Sequence, residues 1–581
     1  MIQLLRNVRL AASTVGQHLS DDPVLLFLQI SRRLPASIVR PIARLTGALA
    51  PKSSVAVPVL LASLARGDDG DVKRRLRLAA DRNTTGEQAR RLADVALAAN
   101  LPELADVHLS AAHGAPGLKP ALARRFWYDG AFSDAVDVLG SSTEAESPQR
   151  EWLAGELRVL EGATPSLGRR RDFVPVAGRV LHLLTNSLPH TSSGYAQRSH
   201  SILLAQQEAG WDVLAATRLG YPVQVGKLFA RPSDVIDGIR YQRLLPAKLA
   251  STSDARLQQQ ADELLRVALD FKPSVLHTTT HYANGMVVRA VAEALGIPWV
   301  YEVRGQLADT WASTRGPAAR GSEKYRLFQQ REAEIMVSAD LVVTLGEAMK
   351  ANILAAGIPD ERIIITPNAV GGEFLEEPLD PFTARRELGL PEEGAYIGTV
   401  SSLVPYEGIE DLIAAFTLLA PRHPDLRLMI VGDGASKPAL QELAREGGFS
   451  DRIIFPGRVP REQTARYHQA LDVFVVPRKD LEVTRSVTPL KPVEALACAR
   501  PVVASRLPAL AEIVIDGTNG LLASAGDSHD IATKLETLLG SEELRVRLGQ
   551  AGRRAVLNDR TWTANALSMT LAYEQLMEAR S

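Results

Sequence analysis

The stretch LKPVEALACARPVVASRLPALAEIVIDGTNGLL (490–522) decides the fold, because a short helix, a buried strand and a turn follow one another within it. The alanine-rich run 493–499 predicts a buried helix, and PVVAS (501–505) predicts the strand after it. A second apolar strand, DVFVVP (472–477), precedes the helix. Apolar strands joined through helices are typical of parallel βαβ units. This part of the chain is therefore predicted to be α/β with a parallel sheet.

The same alternation of apolar strands and helices extends outward from this stretch, in two series separated by the Pro/Glu-rich residues 376–393. Two series predict two Rossmann-like, doubly wound α/β domains, 173–375 and 376–560, that face a shared cleft at their strand ends. We interpret LLASAGDSHDIATKLETLL (521–539) as helical. The other predicted strands are VLHLL (180–184), WDVLAA (211–216), SVLHT (274–278), PWVYEV (298–303), LVVTL (341–345), RIIITP (362–367), YIGTVS (396–401), LRLMIVG (426–432) and RIIFPG (452–457).

Residues 1–172 have helical periodicity and no convincing strand, which predicts an all-helical N-terminal module. ALARRFWYDGAFSDAVDVL (121–139) predicts a helical hairpin that turns at Asp129–Gly130 and resembles a tetratricopeptide unit. A degenerate helical repeat and an irregular bundle both fit this pattern.

Residues 1–50 combine arginines with Leu, Ile and Val, a composition that favours contact with anionic membrane surfaces. An ordinary module that packs on the catalytic domains, or one that binds a protein partner, is the alternative. The charged residues are Arg6, Arg9, Arg32, Arg33, Arg40 and Arg44 against Asp21 and Asp22.

Composition excludes several classes of protein. The 581 residues carry 66 Lys+Arg and 67 Asp+Glu, a balance that argues against nucleic-acid binding. A single cysteine, Cys498, excludes an intrachain disulfide framework and a cysteine-cluster zinc site. No apolar run approaches the ~20 residues of a membrane span, and no signal-peptide pattern begins the chain. We therefore expect a cytoplasmic protein, with peripheral contact at the inner face of the membrane as a further expectation.

Six stretches, in this order, resemble retaining nucleotide-sugar glycosyltransferases of family 4, which have two Rossmann-like domains in the GT-B architecture. The resemblance implies that a C-terminal helix containing Trp562, within 561–581, crosses back to the first Rossmann-like domain. The stretches begin with LTNSLPHTSSGYAQ (184–197), SVLHTTTHYANG (274–285), ADLVVTLGEAMK (339–350), IVGDGASKPALQEL (430–443), ALDVFVVPR (470–478) and LKPVEALACARPVVAS (490–505).

The resemblance assigns Glu494 to the donor ribose, because family members carry a glutamate in this helix. In TPLKP (488–492), Lys491 and the backbone at Leu490 would face the diphosphate, where charge develops as the sugar–phosphate bond breaks. The alternative for Glu494 is a solvated helix glutamate, and for Lys491 a surface lysine.

Departures from the family pattern affect the phosphate site. Ser402 and Glu407 stand where most relatives carry an arginine and a lysine, and we expect Glu407 to repel phosphate. Ser486 stands where the first glutamate of the usual pair would bind the donor sugar. Arg478 and Arg485 are candidates to replace the missing cations. Since relatives with YEG and TPLKP motifs share both changes, an active variant is favoured over loss of activity.

Three glycines are further donor-site candidates. Gly194 follows the first strand, where a missing side chain would let a phosphate or sugar approach the backbone. Gly432 and Gly434 permit a tight strand-to-helix turn beside the nucleotide. A plain turn glycine is the alternative at each position.

On the acceptor side, Arg304 follows a strand where many relatives carry histidine, and it would serve the diphosphate or an acceptor anion. The alternative is a strand-end ion pair with Glu302. His277 and His281 lie at the same strand ends and are weaker acceptor-side candidates.

The resemblance thus implies transfer of a hexose or N-acetylhexosamine from a nucleoside diphosphate sugar to a glycan, lipid-linked or small hydroxyl acceptor, in surface glycan, polysaccharide or glycolipid synthesis. No resident cofactor or metal is expected, because no metal-binding or nucleotide-loop motif is present. Two alternatives stay open: an inactive GT-B scaffold whose helical module binds partners, and a nucleotide-sugar epimerase.

Overall fold

The computed structural model describes residues 2–21, 24, 26–28, 31, 51, 54–82, 84–140 and 147–580. A helical module precedes two α/β domains, and no described residue before Arg179 lies in a strand. The module's helices are α1 (Ile2–Asp21), α2 (Val57–Arg66), α3 (Asp69–Asp81), α4 (Gly86–Ala98), α5 (Pro102–Ser110), α6 (Leu118–Asp129), α7 (Phe132–Asp137) and α8 (Ser147–Glu161). The charged residues Asp22, Arg32, Arg33, Arg40 and Arg44 lie outside the described part of the chain.

The module has its own apolar core, in which Leu92 and Val95 of α4 pack with Leu60 of α2 and Leu76 of α3. The predicted hairpin is present, since α6 and α7 are joined at Gly130, whose φ of 81° is in the left-handed region that favours glycine. Helical periodicity alone was therefore sufficient to identify the module.

The first α/β domain has an eight-stranded sheet in the order β3-β4-β2-β1-β5-β6-β7-β8, parallel except for β3. Its strands are β1 (Arg179–Leu184), β2 (Asp212–Thr217), β3 (Ser233–Ile236), β4 (Ile239–Arg243), β5 (Val275–Thr279), β6 (Trp299–Val303), β7 (Leu341–Thr344) and β8 (Ile363–Ile365). Its helices are α9 (Gly194–Glu208), α10 (Ser253–Phe271), α11 (Tyr282–Leu295), α12 (Leu307–Ser313), α13 (Glu323–Ser338) and α14 (Glu347–Ala355).

The second α/β domain has a six-stranded parallel sheet in the order β11-β10-β9-β12-β13-β14. Its strands are β9 (Tyr396–Val400), β10 (Arg427–Val431), β11 (Ile453–Gly457), β12 (Val473–Val476), β13 (Val502–Ser505) and β14 (Gly520–Ala523). The helices are α15 (Pro381–Glu387), α16 (Ile409–Leu419), α17 (Lys437–Glu446), α18 (Arg461–Gln469), α19 (Glu482–Ser486), α20 (Lys491–Ala497), α21 (Pro508–Ala511), α22 (Ser528–Leu539), α23 (Glu542–Asp559) and α24 (Trp562–Glu578).

The predicted two-sheet α/β fold is confirmed, but three strands differ from the sequence-based assignment. Residues 521–523, interpreted as helical, belong to β14, which pairs with β13. A Cβ at Gly520 would lie 2.2 Å from the Val502 carbonyl oxygen, so glycine permits this pairing. β3 and β4 were not predicted. β3 has only four residues, and β4 is a short strand of alternating buried and exposed residues with only two apolar positions, Ile239 and Tyr241.

The final helix, α24, packs on the first sheet's domain. The Trp211 indole donates to Thr570 Oγ1 (3.0 Å), and the Gln206 amide donates to the Tyr573 hydroxyl (3.0 Å). The two α/β domains also meet at Glu512, whose carboxylate accepts the backbone N–H groups of Glu347 (2.8 Å) and Ala348 (2.6 Å).

Within the described residues, every helix is too short or too polar to cross a membrane.

Candidate active site

Glu494 lies in α20, beyond the carboxyl end of β12, and its side chain is 11% exposed. Its Oε2 atom accepts a hydrogen bond from Lys491 Nζ (2.7 Å) and lies 3.3 Å from His468 Nε2. Burial alone would raise the pKa of Glu494, but Lys491 and His468 outweigh it and lower the pKa to about 2. Glu494 is therefore an ionised, positioned carboxylate, and its Oε1 atom takes part in neither contact.

Arg478 and Glu407 form a buried ion pair in the same domain. Arg478 Nε and Nη2 donate to the two carboxylate oxygens of Glu407 (3.1 and 2.7 Å), while Nη1 donates to the Val487 carbonyl (2.9 Å). The expectation that Glu407 repels phosphate ignored this pairing, because a bidentate guanidinium neutralises the carboxylate. The pair as a whole presents no net charge to a donor.

Arg485 and Ser402 are both exposed. Arg485 forms a bidentate pair with Asp480 of the preceding loop, through Nη2 at 2.8 Å and through Nε. Ser402 lies in the loop after β9. Arg485 belongs to the short helix α19 that follows β12, and Asp480 occupies two of its guanidinium nitrogens.

Arg304 follows β6 and belongs to a buried cluster of charges in the first domain. It donates to Ser199 Oγ (2.7 Å) and to Glu302, which Arg198 also contacts from α9 (2.7 and 3.1 Å). Burial opposes ionisation of Glu302, but Arg304 and Arg198 hold its pKa well below the usual range. Arg304 thus forms the strand-end ion pair with Glu302 that was the alternative interpretation. Because one carboxylate lies between two arginines, the cluster keeps a net positive charge.

His277 and His281 occupy different environments. His277 is buried beneath the charge cluster, where its Nδ1 contacts the Tyr573 hydroxyl at 2.5 Å and its ring stacks on His182. His281 is the N-cap of α11 and accepts the Ala283 N–H (3.2 Å). Burial lowers the pKa of both histidines, to about 4 for His281, so both are neutral at pH 7.

The four remaining candidates are backbone positions. A Cβ at Gly194 would meet no atom within 4 Å, so its missing side chain leaves open space at the start of α9. A Cβ at Gly432 would lie 1.8 Å from the Ser401 carbonyl oxygen, and one at Gly434 2.2 Å from that of Leu403, so chain packing already requires both glycines. Leu490 is the N-cap of α20, and its carbonyl accepts the Glu494 N–H (3.2 Å).

Two residues missed by sequence reasoning connect the two domains. Arg198 Nη1 donates to Asn368 Oδ1 (3.1 Å), and the Asn368 amide donates to the Thr488 carbonyl in TPLKP (2.9 Å). The buried charges around Glu302 are thereby joined to the loop that carries Lys491. Asn368 directly follows the predicted strand RIIITP (362–367), and a polar residue at a strand end was the available signal.

Ser486 also bridges the domains, although it replaces the expected glutamate. Its hydroxyl accepts a hydrogen bond from Asn352 Nδ2 (2.9 Å) and contacts Gln306 at 3.4 Å. No three His, Cys, Asp or Glu side chains of the described chain converge as metal ligands would.

Comparison with known proteins assigns both α/β domains. Residues 193–369 match the glycosyl transferase 4-like domain, and residues 381–555 match glycosyl transferases group 1. D-inositol 3-phosphate glycosyltransferase of Stackebrandtia nassauensis is 29% identical over 53% of this chain and 69% of that protein. GDP-mannose-dependent alpha-(1-6)-phosphatidylinositol monomannoside mannosyltransferase of Mycolicibacterium smegmatis is 29% identical over 42% of this chain and 64% of that protein.

Solved structures support the same fold. Sucrose-phosphate synthase of Thermosynechococcus elongatus aligns with a TM-score of 0.58 at 22% identity, over 69% of this chain and all of that one. Anabaena HepE, solved with UDP, aligns with a TM-score of 0.54 at 16% identity, over 68% of this chain and 100% of that one. The chain is a nucleotide-sugar glycosyltransferase of the GT-B fold, with a glycosyl transferase 4-like domain followed by a glycosyl transferases group 1 domain.

Proposed function

We propose that this enzyme transfers a hexose or N-acetylhexosamine from a nucleoside diphosphate sugar to a hydroxyl acceptor, with retention of configuration at the anomeric carbon, as a family 4 enzyme. The observation that carries the proposal is the Lys491–Glu494 pair, which sets a cation and an ionised carboxylate side by side at the strand ends of the second domain. A carboxylate accepts ribose hydroxyls, and an ammonium group binds diphosphate.

In the reaction, the bond between the sugar C1 and the diphosphate oxygen breaks, and a bond from the acceptor oxygen to C1 forms. The electron pair leaves with the diphosphate, and the acceptor proton passes to the released diphosphate or to solvent. Lys491, and Arg304 from the opposite domain, supply positive charge where negative charge grows. Interactions of this kind lower the barrier because they strengthen in the transition state.

The carboxylates at the cleft favour this route over general-base catalysis by the protein. Glu302 and Glu494 both have pKa values well below the usual range, so they are weak bases. Glu407 is occupied by Arg478 on both oxygens. An inverting enzyme needs a base to activate the acceptor, and none of these three carboxylates is suited to that role.

The direct test is product analysis with a panel of UDP and GDP sugars. The full chain should bind one nucleoside diphosphate, hydrolyse or transfer the matching sugar, and yield a product with the donor's anomeric configuration by NMR. Arg304→Met and Lys491→Met should lower turnover more than donor affinity. Inverted product would overturn the mechanism, and donor binding without any turnover would indicate an inactive scaffold. We expect chelation of divalent metals to leave turnover unchanged.

We further propose that the enzyme works at the cytoplasmic face of a membrane, on a lipid-linked or surface-glycan acceptor. Helix α1 supports this proposal, because its outward face combines exposed apolar side chains with arginines. Asn7 anchors the helix by donating to the carbonyls of Leu228 (2.8 Å) and Ala230 (2.9 Å). On the opposite side, Leu5 is 59% exposed and Val8 46%.

The loop that Asn7 contacts continues this apolar surface. Phe229 is 84% exposed there. Four exposed cations lie beside these apolar side chains, two in α1 and two flanking the loop: Arg6, Arg9, Lys227 and Arg231. Apolar side chains surrounded by cations match a bilayer with anionic headgroups.

Sedimentation with vesicles tests the membrane proposal. The full chain should pellet with phosphatidylcholine vesicles that contain phosphatidylglycerol, and less so at high salt. The double variant Val8→Glu/Phe229→Glu should stay in the supernatant, whereas Leu567→Glu, at an equally exposed leucine of α24, should pellet like wild type. Equal recovery of all three proteins in the pellet, or of none, would contradict the proposal.

A further inference from the structure

A cavity lies where the helical module meets the first α/β domain. Its volume is about 310 Å³, within the range of small-molecule sites. The module contributes residues of α6, α7 and α8, and the α/β domain contributes residues of α10, α11 and α13. The family-like part of the chain alone therefore cannot form this cavity.

Aromatic rings form much of its surface. Trp127 and Phe132 of the module stack with ring centroids 3.6 Å apart. Tyr282 and Phe328 of the α/β domain meet edge to face at 4.9 Å. Aromatic faces next to polar groups are suited to a ring that has apolar C–H faces and polar edges, such as a sugar or a cyclic polyol.

Charged groups border the same space. Lys324 Nζ lies 5.2 Å from the Phe132 ring centroid, and among the described residues no carboxylate lies within ion-pair distance of it. Arg256 lines the cavity as a second cation. The single carboxylate in the lining, Glu156, accepts a hydrogen bond from Ser253. Lys324, which has no carboxylate within ion-pair distance among the described residues, favours a ligand that bears an acid group.

The cavity and the Arg304 backbone both contact the loop after β5. His281 lines the cavity, and the preceding residue, Thr280, accepts the Arg304 backbone N–H through its Oγ1 atom (2.9 Å). Lys324 also donates its backbone N–H to the Gly130 carbonyl (2.9 Å), which fixes the module beside this loop. A ligand in the cavity would thus lie on the acceptor side of the first domain.

We propose that this cavity binds a sugar or cyclic polyol that carries a phosphate or carboxylate, as an acceptor subsite built jointly by the helical module and the first α/β domain. Lys324 pairs with the acid group, Glu156 accepts hydrogen bonds from hydroxyl groups, and the aromatic rings contact the C–H faces. This inference rests on the proposed function, because it assigns a chemical class to part of the acceptor.

Ligand-observed NMR titrations on the full chain test the inference, with glucose 6-phosphate, glucuronate and glucose as probes. Wild type should bind the two acidic probes at least tenfold more tightly than glucose, since a charge-assisted contact is worth about a factor of ten or more. Lys324→Gln should lose this preference, and Lys324→Arg should keep it. Ala283→Leu, which fills the cavity from α11 without changing charge, should weaken all three probes.

UDP and GDP affinity and the melting temperature are measured on the same samples. Each cavity variant should retain wild-type nucleotide affinity, and Glu494→Gln should retain wild-type binding of the acidic probes. The two sites then fail separately: absence of UDP and GDP binding by wild type would refute the donor assignment and leave the cavity assignment intact. Equal affinity of wild type for glucose and glucose 6-phosphate would overturn the inference, as would an unchanged preference in Lys324→Gln together with unchanged binding in Ala283→Leu.

Discussion

The Glu407–Arg478 pair gives a prediction whose size follows from the structure. Each residue is 8% exposed, and the guanidinium makes two hydrogen bonds to the carboxylate but only one to a carbonyl, that of Val487. Glu407→Ala therefore leaves the Arg478 guanidinium buried without its counter-charge and with one of its three hydrogen bonds. Breaking a buried pair in this way costs about 3–5 kcal/mol. For a domain of ~150–250 residues, this corresponds to a melting temperature lower by about 6–20 °C.

A double-mutant cycle separates this explanation from simple loss of packing. Glu407→Leu and Arg478→Met should each lower the melting temperature, but the double variant should be close to wild type, because no unpaired charge remains. Glu407→Lys, which restores the cation of most relatives, should be the most destabilised, since it places two cations together. Differential scanning calorimetry on wild type and these four variants gives the melting temperatures. Single variants within about 2 °C of wild type, or effects that simply add, would refute the reasoning.

Three other predictions are independent of this pair. Gly194→Ala should keep the wild-type melting temperature in calorimetry but lower turnover if a ligand approaches that backbone. Gly432→Ala should instead unfold at a lower temperature, because its Cβ would lie 1.8 Å from the Ser401 carbonyl oxygen. Tyr573→Phe should lose about 1 kcal/mol of stability in urea titrations, through its contact with His277, with unchanged nucleotide affinity, and an affinity loss would contradict that structural role. Cys498 should resist iodoacetamide in the folded chain, because burial raises its thiol pKa to about 12, and rapid labelling without unfolding would be inconsistent with the structure.

Most of the fold could be predicted because buried parallel strands are continuous apolar runs. Strands such as β12 and β13 are recognisable from composition alone, and the glycines and prolines between elements limit where they end. β14 was missed because LLAS leads directly into a helical pattern, and a four-residue apolar run fits either structure. Short edge strands lack a pattern long enough to identify.

Candidate site residues could be named one by one from the sequence, but most of their partners could not. Glu302 and Arg304 are two apart at a strand end, so their pairing was a recognised alternative. Glu407 and Arg478 are far apart in sequence and meet only because β9 and β12 are neighbours in the sheet, an order that the sequence does not specify. For this reason a buried, neutralised glutamate was interpreted as a source of repulsion.

The cavity between the module and the first domain could not have been predicted at all. It depends on how α6–α8 pack against α10, α11 and α13, and periodicity predicts helices without predicting their relative positions. Trp127 and Lys324 belong to different domains, and their sequence contexts gave no indication that they share a space.

Isothermal titration of UDP and GDP into wild type and Glu494→Gln tests the central claim most directly. Glu494 is held by Lys491 at 2.7 Å and is ionised. If it binds the donor ribose, as we propose, its replacement by the isosteric amide should remove a charge-assisted contact. Such a contact is worth about 1.5–3 kcal/mol, and the affinity for the preferred nucleotide should fall by roughly 10- to 150-fold, with the melting temperature as a control for folding. Equal affinities for the two proteins would contradict the assignment of Glu494 to the donor.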